Sequence, residues 1–120
     1  KTKTPITVMT IDKRKAGKEV YEALKPLQEH MKLVVLVDTV GNDVDNAYML
    51  IWRVVNNIDA LRDIFVEEEF IGIDATTKNA LDGYMREWPN DTDCDQATIQ
   101  RLIKLGLVEN NPEFLKHFHI

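Results

Sequence analysis

Leu33-Val34-Val35-Leu36-Val37, closed by Asp38, is an unbroken apolar run. Successive side chains of an extended chain point to opposite faces, so five apolar residues in a row need cover on both sides, as in an interior strand of a parallel sheet. The run therefore predicts the central strand of an α/β domain.

Towards the N-terminus, Pro5 to Ile11 alternates apolar and polar residues and is rich in β-branched ones, which predicts a strand with one buried face. Between the two strands, Val20, Ala23, Leu24, Leu27 and Met31 recur at helical spacing. Pro26 lies inside that pattern and is expected to kink or split the helix, because it removes a backbone donor. Past the central run, a polar loop from Thr39 to Asp43 leads to Asp45 as the expected N-cap of a second helix. Tyr48, Ile51, Trp52 and Val55 give that helix its apolar stripe, and Asn56-Asn57 stops it. Asp63 to Val66 reads as a short third strand.

This alternation predicts right-handed crossovers around a small, mainly parallel or mixed sheet. Glu67 to Asn90 has no sustained period, carries Gly72, Gly83 and Pro89, and is too long for a plain connector. Long irregular stretches of this kind are commonly functional or interfacial. Beyond it, Ile99, Leu102, Ile103 and Leu107 form a third helical stripe that Gly106 helps to end. Asn111-Pro112 opens a last helix with Phe114, Leu115 and Phe118 as its apolar face. The expected fold class is α/β: a single domain over residues 1–120 with a helical extension at 108–120.

Composition narrows the function classes. The 120 residues, 44% hydrophobic and 29% charged, fit one core, with little surplus for a deep private active site. Net charge is −5 and the basic residues are interspersed with acidic ones, which argues against a nucleic-acid partner. Cys94 is the sole cysteine, which excludes an internal disulfide, and its acidic neighbours disfavour a reactive thiolate. No apolar run approaches the roughly 20 residues that cross a bilayer, and no signal-peptide pattern opens the chain, so the expected compartment is the cytoplasm. Lys1 in place of a methionine suggests processing or a piece of a longer polypeptide.

Three groups of residues invite a chemical reading. Asp38, Asp43 and Asp45 cluster after the central strand, where open α/β sheets place their ligands. They could hold Mg²⁺, with Asp38 as the phosphoacceptor of a receiver-like domain; the plainer reading is a strand end, a solvated loop acid and a helix cap. His30, His117 and His119 offer no certified metal geometry, and the last two belong more naturally to a solvated tail. Phe70 to Lys78 reads as a docking loop or a buried crossover, and Trp88 as an interface anchor of a self-association module or a lid on the core. No phosphate-binding glycine loop and no nucleophile elbow occurs, so the sequence displays no self-sufficient catalytic site.

Several segments together resemble one family. Gly72-Ile73-Asp74-Ala75-Thr76-Thr77-Lys78, followed by Arg86-Glu87-Trp88-Pro89, is similar to the "GIDAT-K … REWP" signature near the C-terminus of UbiD-type decarboxylases. Lys32 leading into the apolar run and then Asp43-Val44-Asp45 resembles that family's lysine, strand and "DDDVD" run. Leu50-Ile51-Trp52, with Asp59 to Asp63, is similar to its "VIWA … DPARD" segment. The pieces follow the family order from about Ile11 to Trp88. The chain departs from the pattern where Thr39 to Asn42 interrupt the acidic run, where Asn56-Asn57 replace a Thr-Arg pair, and where Leu61 takes a small-residue position.

The resemblance implies the C-terminal domain of a non-oxidative aromatic-acid carboxy-lyase, acting on a hydroxybenzoate- or naphthoate-type acid in ubiquinone or menaquinone biosynthesis. It implies prenylated FMN, a divalent metal (manganese) and potassium in the full-length enzyme, with the reacting groups and metal ligands in a preceding flavin-binding domain. This domain would pack on that one, assist homo-oligomer formation, hold no cofactor by itself and supply no catalytic residue. Lys32 is the one cofactor-binding candidate carried over, as a lysine able to reach the cofactor phosphate. The competing reading of Lys32 is a helix-end cation that satisfies the last carbonyls of the preceding helix.

Overall fold

The computed structural model describes residues 3–117. The elements in order are β1 (Thr4–Ile11), α1 (Gly17–Leu24) with a 3₁₀ turn at Lys25–Leu27, β2 (Met31–Asp38), α2 (Ala47–Asn57) and α3 (Ala60–Asp63). They continue with β3 (Ile64–Glu67), β4 (Phe70–Asp74), a 3₁₀ turn at Ala80–Asp82, α4 (Gln96–Lys104) and α5 (Pro112–His117). The strands form one sheet in the order β1-β2-β4-β3. β1, β2 and β4 are parallel, while β3 runs antiparallel to β4 at the edge.

The run at 33–37 occupies the interior position its composition demands, with Val34 to Val37 all buried. Its side chains divide by parity. Val34 and Leu36 join Tyr21 of α1, Met31 and Phe70 in one core cluster. Val35 and Val37 join Ala75 in a second, against which Leu50 and Val54 of α2 pack. Two helices on opposite faces thus satisfy the two-sided burial that the apolar run requires.

One local expectation is met and three are corrected by the structure. The first helix ends at Leu24 and passes into the 3₁₀ turn that holds Pro26, because proline lacks the N–H the next α-turn would use. Asn46, not Asp45, caps α2: its side chain accepts from the Met49 N–H at 3.2 Å, whereas the Asp45 N–H is bound to the Asp43 side chain at 3.0 Å. Asp63 closes the short helix α3, so the third strand begins one residue later. A fourth strand, β4, occupies the stretch expected to be irregular.

Gly72 explains why β4 escapes a pattern reading. It interrupts the apolar residues of a five-residue strand, yet it is needed there, because a Cβ would sit 2.3 Å from Cδ2 of Tyr21. The Tyr21 ring stacks on Phe70 at 5.0 Å and its hydroxyl donates to the Phe70 carbonyl at 2.9 Å. At the far end of the chain, Asn111 caps α5 as expected, accepting from the Glu113 N–H at 3.0 Å. Phe118 and His119 lie outside the described residues.

Candidate functional site: the carboxyl edge of the sheet

Three parallel strands end side by side, at Ile11, Asp38 and Asp74. The loop after β1 brings in Lys13 and the loop after β4 brings in Thr76 and Lys78. Asp63, at the end of α3, and Asp82, in the 3₁₀ turn, complete a buried ionic cluster.

Lys13 is the hub. Its ammonium lies 2.6 Å from Asp82 and 3.5 Å from Asp74, and donates to the Thr76 hydroxyl at 2.7 Å and the Thr77 carbonyl at 2.9 Å. Lys78, wholly buried, donates to the carbonyls of Asp74 at 2.8 Å and Thr76 at 2.5 Å, and its ammonium lies 3.5 Å from the Asp74 carboxylate and 3.9 Å from that of Asp63. Arg62 closes the set with a two-pronged contact to Asp63, at 2.8 and 2.7 Å. The Asp38 carboxylate reaches across to accept from the Thr77 N–H at 2.8 Å.

Isolated buried charges are expensive, and this cluster answers by pairing three cations with three carboxylates and filling their hydrogen-bond capacity. Among the described residues, no buried side-chain nitrogen or oxygen lacks a partner. Burial pushes the Lys78 ammonium below its ordinary range, against the opposing pull of Asp74 and Asp63. Burial alone would raise the Asp82 carboxyl, but the hydrogen bond from Lys13 and the backbone N–H groups of Asn79 and Gly17 together hold it below its usual range.

The cluster also explains two local features. Gly17 opens α1 where a Cβ would stand 1.9 Å from the Asp74 carboxylate, so only glycine lets the helix start against that acid. Trp88 lies over the cluster, its ring centroid 5.8 Å from the Lys78 ammonium and 5.2 Å from the Tyr84 ring in an edge-on contact. The indole is half-buried there, over the ionic cluster rather than over the apolar core.

The other candidates fall elsewhere. Asp38 belongs to the edge just described, while Asp43 and Asp45 are exposed and bound to each other through a turn. Among the described residues, no group of three or more histidine, cysteine or acidic side chains is arranged to hold a metal ion. Cys94 is exposed, and His30 is exposed beside Glu29. Lys32 is the second residue of β2, exposed, at the end of the sheet opposite the ionic cluster. Among the described residues its ammonium has no ion-pair partner, so its charge is available to an anion. The side chain of His117 and all of His119 lie outside what is described.

Sequence reasoning missed Lys13, Asp63, Asp82 and the role of Lys78. Lys13 stands in a run of charges that reads as a solvated turn, and only the Asp74/Lys78 spacing of four inside an otherwise uncharged stretch hinted at a buried pair. An apolar groove of about 740 Å³ lies between α2 and the C-terminal helices, bordered by Met49, Trp52, Ile99, Leu102 and Leu115. Among the described residues, no helix is long and apolar enough to cross a membrane.

Comparison with known proteins agrees with the resemblance of the quoted segments. Two Helicobacter pylori proteins, from strains ATCC 700392 / 26695 and J99 / ATCC 700824 and both described only as uncharacterized, are each 41% identical over 122 residues, covering 99% of this chain. The chain spans about a fifth of the length of these curated relatives. The family model for the C-terminal domain of 3-octaprenyl-4-hydroxybenzoate carboxy-lyase matches residues 2–98, a span that contains the whole sheet and the ionic cluster but neither α5 nor the end of α4. The chain therefore belongs to the UbiD C-terminal domain family.

Proposed function

We propose that this chain is the C-terminal domain of a UbiD-like non-oxidative carboxy-lyase whose reacting groups lie in a preceding flavin-binding domain. The observation that carries this reading is the family match over residues 2–98, together with relatives of which the chain is about a fifth. The ionic cluster is consistent with it. Lys13, Lys78, Asp63, Asp74 and Asp82 are consumed in holding the carboxyl-edge loops to one another, a supporting task rather than a reacting one.

In the full-length protein, prenylated FMN, with manganese and potassium, would supply the electron sink that lets carbon dioxide leave an aromatic acid. The substrate class is a hydroxybenzoate or naphthoate of quinone biosynthesis, and the compartment is the cytoplasm. Of the residues here, Lys32 fits the cofactor by charge: an exposed cation with no ion-pair partner among the described residues suits a phosphate. The domain packs on the flavin domain and contributes to a homo-oligomer.

The test is decarboxylation by the full-length protein, assayed on hydroxybenzoic and naphthoic acids with and without prenylated FMN. Flavin-dependent release of carbon dioxide is expected. Turnover that is indifferent to the flavin, or none on any such acid with the flavin bound, would overturn the assignment.

A further inference from the structure

The sheet is covered unevenly. On the face that carries α2, the helix lies over Val35, Val37 and Ala75 and stops short of β1. The β1 residues on that face, Thr4, Ile6, Val8 and Thr10, are all exposed, with Ile6 at 61% and Val8 at 40%. Register places Ile6 beside Leu33 and Val8 beside Val35, so the apolar surface continues inward from the edge.

β1 is also an edge strand, eight residues long, whose outer backbone groups pair with no strand among the described residues. Natural proteins guard such edges with charged side chains, short strands, proline or a covering segment. β1 has no charged residue, and its one proline, Pro5, lies near its start, which leaves Ile6 to Ile11 unguarded. A long edge without charges, with Ile6 and Val8 exposed on one face, is the mark of a strand that something covers.

We infer that this half-open sheet face, centred on Ile6 and Val8 with Leu33 behind them, is the surface on which the preceding part of the full-length polypeptide packs. This rests on the reading proposed above and specifies where the two domains meet. The matching family is a C-terminal domain, so in its full-length members most of the polypeptide comes before it. That polypeptide enters at the start of β1, the strand that carries the uncovered residues, so cover from it needs no long excursion. A partner with an apolar surface is required, because Ile6 and Val8 present no charge to read.

Full-length protein carrying Ile6→Cys, and separately Val8→Cys, tests the inference by the rate of maleimide labelling, followed by peptide mass and referred to the same variant in urea. The expected result is labelling at least about ten-fold slower than in urea, at every protein concentration, as for a site reached only by local opening. Labelling as fast as in urea would overturn the inference. Protection that disappears on dilution would also overturn it, by showing that a second copy covers the face. Flavin-dependent decarboxylation is measured on the same samples: its absence beside full protection would remove the carboxy-lyase reading and leave the interface standing.

Discussion

Replacing Lys13 by methionine keeps most of the length of the side chain and deletes its charge. The ammonium stands 2.6 Å from Asp82, where the gross attraction is about 6 kcal/mol at an effective dielectric of about 20. Much of that is offset by the cost of desolvating the pair, so its presence adds little net stability. Its removal is different, because three carboxylates would then face only Lys78 and Arg62. Breaking one side of a buried pair costs about 3–5 kcal/mol. Urea unfolding of Lys13→Met at neutral pH should show a loss of that size.

Asp82→Asn made in the Lys13→Met background should recover part of that loss, since it removes a stranded carboxylate. The double-mutant cycle should report a coupling of about 1–3 kcal/mol between the two sites. A loss below about 1 kcal/mol for Lys13→Met, with additive effects in the double variant, would refute the view that the cluster acts as one unit.

Gly72→Ala forces a methyl group to 2.3 Å from the Tyr21 ring, and overpacking of this kind should cost about 1–3 kcal/mol or more, read as a lowered unfolding temperature. Because Asp82 is held below its usual carboxyl range in the fold, its contribution is complete above the ordinary value of 3.8 and is lost as pH falls through the folded value. The stability gap between the native chain and Asp82→Asn should therefore be constant from pH 7 to about 5 and shrink below about 4. Lys32→Ala should leave urea unfolding within about 0.5 kcal/mol of the native chain but weaken flavin retention by the full-length protein; unchanged retention would remove Lys32 as a phosphate contact.

The sequence made the centre of this fold legible because burial on both faces leaves a mark that needs no partner to read: five apolar residues in a row. α1, α2 and α4 were equally visible through their stripes, and Asn111-Pro112 marked α5 through its cap, whereas the four residues of α3 are too few to show a stripe. β4 was not legible, since its middle residue is a glycine whose presence is dictated by Tyr21, some fifty positions away. The ionic cluster was hidden for a related reason. Charged residues are usually solvated, so nothing local distinguishes Lys13 from the exposed Arg14 beside it. What separates them is the convergence of β1, α3, β4 and a 3₁₀ turn on one point. The family, by contrast, was readable at once, because the Gly72–Lys78 segment that conceals the strand and the cluster also carries the recognisable signature.

The most direct test of the account compares two samples under one assay for carbon dioxide release from an aromatic acid, each supplied with prenylated FMN, manganese and potassium. One is the full-length protein and the other is the 120-residue chain alone. Release by the first and none by the second is the predicted result. Turnover by the isolated chain would contradict the claim that this domain supports a reaction whose chemistry is performed next door.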